Sequence, residues 1–170
     1  MPLPLMTARE SGPPRTQAFE NRDAQASGAS YNPVMTPGAV RLRSRFAMDD
    51  EVLSRLHDSA FGSAGPVLPW SERLSRFSVS WVGAFDDGKL VGFVHAVWDG
   101  GHHAFLLDTA VDPRYQRTGL GGALVAQLRA DARAAGCEWL HVDYEPQLRP
   151  FYEDACGFGP TEAGLLRLSR

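Results

Sequence analysis

Residues 116–124 read QRTGLGGAL, a segment that places three glycines within four positions and then continues into an amphipathic helical pattern. Leu120, Leu124 and Leu128 recur at intervals of four, and Gly136 follows as a helix-ending residue. Glycine destabilises a helix by about 1 kcal/mol relative to alanine. The start of this helix therefore uses bare backbone for a reason other than helix stability.

Two explanations for the glycines are open. The amides of a first helical turn have no intrahelical partner and the helix dipole favours negative charge, so a phosphate or pyrophosphate could approach Gly119, Gly121 and Gly122 without meeting a Cβ atom. Arg114 and Arg117 would add positive charge to this site. The alternative is a turn shaped only for close packing of the helix on a sheet.

Two common phosphate-binding loops fit the segment poorly. The Walker pattern requires Lys followed by Ser or Thr after its last glycine, and Ala123-Leu124 stands there. The dinucleotide-binding fingerprint requires parallel strand–helix–strand units, whereas only its first three positions match Gly119-Leu120-Gly121 and the strands that precede them are predicted to be antiparallel.

The hydrophobic periodicity on either side of this segment predicts an α+β domain around one sheet. Before the glycines we expect a strand at residues 39–45, a helix at 50–60 and a second helix around Trp70–Phe77. A hairpin across an Asp-Gly turn should follow, with strands at 78–85 and 90–98, and then a further strand at 101–111. After the glycine helix we expect a strand, a short helix and a final strand, at residues 137–145, 150–156 and 164–169.

The composition of the whole chain excludes several function classes. Its 170 residues are 44% apolar and 22% charged, with a formal net charge of −3, which argues against nucleic-acid binding by bulk charge. No apolar run approaches the ~18–20 residues of a membrane span.

Residues 1–38 contain six of the twelve prolines and are predicted to be a mobile tail. Two cysteines that match neither a zinc nor a disulfide pattern favour a reducing, cytoplasmic location.

Two segments together resemble the GNAT superfamily of acetyl-CoA-dependent N-acetyltransferases. Gln116, Gly119 and Gly121 occupy the fixed positions of its Q/R-x-x-G-x-G/A signature, and Val111-Asp112-Pro113 gives the usual strand exit. About forty residues later, PFYEDACGF at residues 150–158 is similar to the second family signature. The resemblance covers residues 39–170. It implies a mixed, mostly antiparallel sheet flanked by helices, splayed between its fourth and fifth strands, with a bulge often present in the fourth.

The resemblance also implies how acetyl-CoA, the co-substrate, binds. Backbone amides of about residues 117–122 would hold its pyrophosphate, and the backbone near Thr109 and Val111 would pair with its pantetheine arm as an added strand does. The implied binding residues are Thr109, Val111, Gln116, Arg117, Thr118, Gly119, Leu120, Gly121, Gly122 and Ala123. No metal site is implied.

The same resemblance assigns catalytic candidates. Tyr152 stands where the family has the general acid that protonates the departing thiolate, although a packing role beside Phe151 is the alternative. The base that deprotonates the acceptor amine is left open: the candidates are Glu145, which stands where many relatives have asparagine, Asp108 and Asp143. The alternatives are an ordinary solvated carboxylate for each of them and a base that acts through water, and a bulge would change the side on which Asp108 lies. An acyl-enzyme through Cys156 is a further alternative.

We therefore expect an N-acetyltransferase that acts by direct attack of a primary amine, from a small molecule or a peptide, in a ternary complex. The competing hypothesis is a non-catalytic domain that senses acyl-CoA. Neither nucleic acid nor membrane is expected as a partner, and a homodimer is a candidate assembly.

Overall fold

The computed structural model describes residues 39–62 and 64–168; the predicted N-terminal tail, residues 1–38, lies outside this part of the chain. Eight principal elements follow in order: β1 (Arg41–Ser44), α1 (Asp50–Phe61), α2 (Trp70–Phe77), β2 (Ser78–Asp86), β3 (Lys89–Trp98), β4 (His103–Val111), α3 (Leu120–Ala134) and β5 (Trp139–Val142). Two short 3₁₀ turns, Pro113–Tyr115 and Pro146–Leu148, and a π-helical turn, Pro150–Ala155, complete them. No described helix is both long enough and apolar enough to cross a membrane.

The strands form one sheet in the order β1-β2-β3-β4-β5, antiparallel up to β4 and parallel between β4 and β5. The predicted hairpin is confirmed: Asp86 pairs with Lys89 across a two-residue turn. Asp87 and Gly88 both have positive φ, 46° and 78°, as a type I′ turn requires. The predicted α+β architecture is therefore the observed one.

Separate hydrophobic clusters cover the two faces of the sheet. The helices α1 and α2 pack over one face around Trp70 and Phe93, in a cluster that also contains Leu53, Leu56, Leu74 and Ala110. Helix α3 covers the other face, where Leu124 and Leu128 are fully buried beside Val94 and Leu106. Successive residues of β3 thus point to different helices, as the alternation of a strand dictates.

Strand β4 carries the bulge that the family resemblance suggested. Phe93 pairs with Ala110 but His95 pairs with Leu107, so β4 has one residue more than β3 in this interval. The extra residue lies at Asp108–Thr109, and Asp108 has a positive φ of 52°. Pairing with β5 ends just before the bulge, at Leu106 and Val142. The sheet is therefore splayed between its fourth and fifth strands, as predicted.

The predicted final strand at residues 164–169 is wrong as far as the described chain extends. Residues 164–168 form no strand, and Leu165, Leu166 and Leu168 are 93%, 80% and 92% exposed. The strand predicted at residues 137–145 is also shorter, ending at Val142. In both segments the local apolar pattern is present, but a strand also needs a partner edge in register.

Ser54 joins α1 to the segment that leads into α2. Its buried Oγ accepts hydrogen bonds from the backbone N–H of Leu68 at 3.0 Å and from the indole Nε1–H of Trp70 at 3.1 Å. We expect Ser54→Ala to lower the free energy of unfolding by about 2 kcal/mol, because it leaves two donors without an acceptor. Denaturant unfolding measures the loss, and the exposed Ser59→Ala of the same helix is the control. A loss as small as that of Ser59→Ala would contradict this role.

Candidate functional site

A cleft opens where β4 and β5 separate. The backbone of β4 from Leu107 to Val111 pairs with β3 on one side and has no β5 partner on the other. Thr109 and Val111 lie on this free edge and are half-buried. A strand edge with unpaired N–H and C=O groups can accept an extended ligand as an additional strand.

The turn that leaves β4 is held by Asp112. Its carboxylate caps the 3₁₀ turn by accepting the backbone N–H of Arg114 at 3.0 Å, and it also binds the Arg114 guanidinium at 2.7 Å. The Arg114 hydrogen bond, opposed by some burial, lowers the pKa of Asp112 below its ordinary value. Arg114 is thus paired with a carboxylate, so its charge is less available to an anion than the sequence suggested.

The side chains of the signature segment brace the loop internally. The Gln116 side-chain amide donates to the carbonyl of Val111 at 3.1 Å, and the Thr118 hydroxyl donates to the carbonyl of Tyr115 at 2.7 Å. Arg117 and Gly119 both have positive φ, 58° and 87°, and Gly119 is the N-cap of α3. The loop therefore turns sharply into the helix, and its N-cap residue, a glycine, has no side chain that could cap the first-turn amides.

The remaining glycines differ in what surrounds them. A Cβ atom at Gly121 would lie 3.1 Å from the ring of Phe151, so close packing alone accounts for glycine there. A Cβ atom at Gly122 would have nothing within 4 Å. Neighbouring Leu120 is buried in the α3 cluster, whereas Ala123 is exposed. Internal packing thus explains one of the two glycines in the first turn of α3 and leaves Gly122 without an internal reason.

Tyr152 lies in the π-helical turn and is only 6% exposed. Its hydroxyl donates to the Thr109 hydroxyl at 3.3 Å, which places the phenol at the free edge of β4. Tyr144 stacks on its ring with centroids 5.1 Å apart, and Phe151 and Phe158 contact it edge-on. Burial raises the pKa of Tyr152, although the Thr109 hydrogen bond opposes the effect. The phenol therefore retains its proton throughout the neutral range.

Burial also raises the pKa of the Cys156 thiol, with Arg129 acting in the opposite direction. A buried thiol with a raised pKa is a poor nucleophile at neutral pH. This environment gives no support to an acyl-enzyme through Cys156.

The bulge directs Asp108 toward the side of the sheet that α1 and α2 cover. Oδ2 of Asp108 lies 2.9 Å from Nε2 of His95 in β3, and Oδ1 lies 3.4 Å from Nε2 of His57 in α1. Burial alone would raise the pKa of Asp108, but hydrogen bonding and charge from His95, and then from His57, bring it below its ordinary value. The carboxylate is thus ionised at neutral pH.

The two histidines have different surroundings. His95 is 3% exposed, and its Nδ1 lies 2.8 Å from the Ser78 hydroxyl. The His57 side chain is 22% exposed and packs against the rings of Phe61 and Trp70, with centroids 4.5 and 5.4 Å away. Sequence reasoning did not select either histidine. Strand alternation could have indicated His95: it lies two positions from the apolar Phe93, so both side chains lie on the same face of β3, and a histidine on a buried face needs polar partners.

Glu145, the other predicted base, is elsewhere. It is exposed, beyond the end of β5, and is the N-cap residue of the 3₁₀ turn Pro146–Leu148 without a side-chain capping bond. The structure thus brings Thr109 and Tyr152 into contact, directs the neighbouring Asp108 to two histidines, and leaves Glu145 in a solvated turn. In residues 39–62 and 64–168, no group of three or more His, Cys, Asp or Glu side chains could hold a metal ion.

Residues 50–158 match the family described as "Acetyltransferase (GNAT) family". The chain belongs to the GNAT family. The match includes the glycine segment, the bulged strand and Tyr152, and GNAT proteins generally use acetyl-CoA. The family resemblance inferred from the two signatures is confirmed.

Curated relatives match a short part of the chain. It is 37% identical over 65 residues to Serotonin N-acetyltransferase 2, chloroplastic, from Oryza sativa subsp. japonica, covering 38% of this chain and 32% of that protein. It is 34% identical over 67 residues to the uncharacterized N-acetyltransferase ycf52 of Pyropia yezoensis, covering 39% and 38%. The chain thus spans less than two-fifths of the length of either protein.

Solved structures agree over a larger part of the fold. A Trypanosoma brucei acetyltransferase superposes with a TM-score of 0.64 at 25% identity, covering 77% of this chain and 99% of that one. The aminoglycoside N-acetyltransferase AAC(6')-Iy, solved in complex with CoA, superposes with a TM-score of 0.61 at 21% identity, covering 80% and 99%. These superpositions agree with the mixed, splayed sheet.

Proposed function

We propose that this protein is an N-acetyltransferase that transfers an acetyl group from acetyl-CoA to a primary amine of a small molecule or peptide, by direct attack in a ternary complex. The observation that carries the proposal is the open space beside Gly122 in the first turn of α3, the helix that follows the free edge of β4. A helix start that leaves its backbone bare without an internal reason fits an external anion.

The residues of the cleft match the parts of acetyl-CoA. The first-turn amides of α3, around Gly121 and Gly122, suit the pyrophosphate, and the free β4 edge at Thr109 and Val111 suits the amides of the pantetheine arm. Gln116 keeps the end of β4 and the loop together through its hydrogen bond to Val111. Acetyl-CoA would supply an activated thioester.

Proton movements assign roles to the side chains. Attack of the amine nitrogen on the thioester carbonyl forms a C–N bond, and the C–S bond breaks as Tyr152 gives its proton to the sulfur. Water then restores the phenol proton. Burial raises the pKa values of phenols and thiols alike, so the transfer between the two remains feasible in the cleft. An ammonium nitrogen must lose two protons to become an amide nitrogen, and we place their departure on the Asp108 side. The sulfur gains one proton, so one proton is released to solvent for each ammonium acetylated.

The acceptor class is inferred from charge. Asp108 is an ionised, partly exposed carboxylate in the strand next to the cleft, which suits an ammonium group. Two of the similar proteins carry names that specify amine acceptors, serotonin and an aminoglycoside. Both names support a primary amine on a small molecule, and they differ in the rest of the acceptor.

Gly122→Ala tests coenzyme binding because it should raise the stability of the ligand-free protein and lower its affinity for acetyl-CoA. We expect the ligand-free variant to be more stable by up to about 1 kcal/mol, because alanine favours the helix and its Cβ meets open space. Acetyl-CoA affinity should fall, because the same Cβ lies where the anion approaches. Thermal unfolding and calorimetric titration measure the two quantities. Unchanged affinity would remove the first turn of α3 from the coenzyme site.

An amine panel that records free thiol release tests the reaction itself. The panel should include an arylalkylamine, an aminoglycoside and a peptide N-terminus. We expect at least one to be acetylated. Acetyl-CoA binding without transfer to any of them would favour a sensor.

A further inference from the structure

A line of four polar side chains crosses the sheet face beneath α1 and α2: Ser78, His95, Asp108 and His57, referred to below as the His57–Asp108 relay. All four side chains are buried or half-buried, and the three that come from the sheet lie on the face opposite α3. None of the four is among the residues assigned above to acetyl-CoA. We propose that His57 is the general base of the reaction and that Asp108 is its fixed counter-charge. This inference rests on the proposed acetyl transfer.

Hydrogen-bond accounting assigns the ring protons. An ionised carboxylate only accepts hydrogen bonds, so both histidines must present a protonated Nε2 to Asp108. In neutral His95, Nδ1 then accepts the Ser78 hydroxyl, which satisfies the whole ring. In neutral His57, no residue of the described part of the chain donates to Nδ1, whose lone pair is left available. That atom is the proton acceptor that the arrangement provides.

Burial separates the roles of the two histidines. His95 is 3% exposed and enclosed between Ser78 and Asp108, so it has no route for a proton to solvent. The His57 side chain is 22% exposed, which allows it to take a proton from a bound amine and return it to water. The lowered pKa of Asp108 makes this carboxylate a weak base but a permanent negative charge beside the His57 ring.

The bulge links this base to the acid. Asp108 and Thr109 are consecutive residues, yet Asp108 contacts the histidines whereas Thr109 contacts the Tyr152 hydroxyl. One peptide unit thus positions the group that accepts the nitrogen proton and the group that protonates the sulfur. In the proposed step the C–N bond forms, the nitrogen proton passes to Nδ1 of His57, and the C–S bond breaks with proton donation from Tyr152.

The test compares His57→Gln with the wild type, using the amine that the wild type acetylates. Gln can still donate to Asp108 but cannot serve as a base at neutral pH, so kcat should fall ~10²-fold or more while acetyl-CoA affinity is unchanged. The wild-type rate should also decline as pH falls, because a protonated base cannot accept the nitrogen proton. That acidic limb should be absent in His57→Gln.

The titratable and charged groups around His57 define the control variants. Asp108 of β4 contacts His57, His95 of β3 lies behind that carboxylate, Arg73 lies over the Trp70 ring against which His57 packs, and Asp58 is the next residue of α1. His95→Gln should reduce the rate but keep the acidic limb. Loss of the limb in His95→Gln with its retention in His57→Gln would transfer the base to His95 and overturn the proposal.

Chemical rescue distinguishes a base from a packing residue. Added imidazole should restore activity to His57→Ala in proportion to its concentration, since the ring cavity opens toward solvent, and should not restore Asp108→Asn. His141→Ala, a β5 histidine outside the relay, is the matched control and should retain wild-type activity. A fully active His57→Gln would contradict this inference alone. A wild type that binds acetyl-CoA but acetylates no amine would overturn the proposed function and this inference together.

Discussion

Tyr152→Phe is expected to lower the turnover of acetyl transfer by ~10²–10⁴-fold, the usual contribution of a positioned general acid. The substitution removes only the hydroxyl that donates to Thr109 and leaves the ring stacked on Tyr144. Acetyl-CoA affinity should change little, because the phenol contributes no charge to the coenzyme site. Steady-state kinetics with the proper acceptor and calorimetric titration of acetyl-CoA measure the two effects.

The leaving group provides the control. An acyl donor with a more acidic thiol needs less protonation as it departs, so Tyr152→Phe should lose less activity with that donor than with acetyl-CoA. Tyr144→Phe, which changes the adjacent phenol that donates to Glu153, is the matched variant and should lose much less activity. Full activity of Tyr152→Phe would assign the residue to packing.

The second large effect concerns coenzyme binding at the first turn of α3. Wild-type protein should be stabilised by acetyl-CoA, by about 2.7 kcal/mol when the ligand is at 100 times its Kd, because the ligand binds only the folded state. Gly122→Glu should abolish this stabilisation, since its carboxylate would stand where the pyrophosphate approaches. The ligand-free variant should fold normally, because the position has open space and a helix N-terminus favours an acidic side chain.

Gly122→Gln separates charge from bulk. The two variants have nearly the same volume, so the part of the loss seen only in Gly122→Glu is due to repulsion between like charges. That part should shrink as salt rises, since screening weakens it. Equal stabilisation of wild type and Gly122→Glu by acetyl-CoA would exclude this turn from the binding site.

Most of the fold could be predicted from the sequence because its signals are local. The β2–β3 hairpin depends on the Asp87-Gly88 turn and its flanking alternation, and α3 depends on leucines spaced four apart. The bulge in β4 and the splay beside it came from family resemblance, since nothing in the residues around Asp108 marks them. The strand predicted at residues 164–169 failed because three leucines supply an apolar pattern without a paired edge.

The sequence supported predictions for the glycine turn and Tyr152 but not for the His57–Asp108 relay. The glycine turn and Tyr152 are contiguous motifs, so their spacing was readable. The His57–Asp108 relay joins α1, β2, β3 and β4, and its members are separated by 13 to 51 positions along the chain. Contacts of that kind depend on how α1 crosses the sheet, which residue spacing does not specify. Glu145 was selected because a longer β5 was expected, and β5 ends three positions earlier.

The two hydrophobic clusters on opposite faces of the sheet determine which parts of the protein can be substituted independently. The cluster of α1 and α2 lies beside the proposed base, whereas the cluster of α3 supports the coenzyme turn and Tyr152. Substitutions at sites that share no contacts usually have additive effects on stability. We therefore expect substitutions on the exposed surfaces of α1 and α2 to leave the stability contributed by the α3 cluster unchanged. Under the proposed function, these two helices are the place to vary the acceptor without disturbing the coenzyme turn.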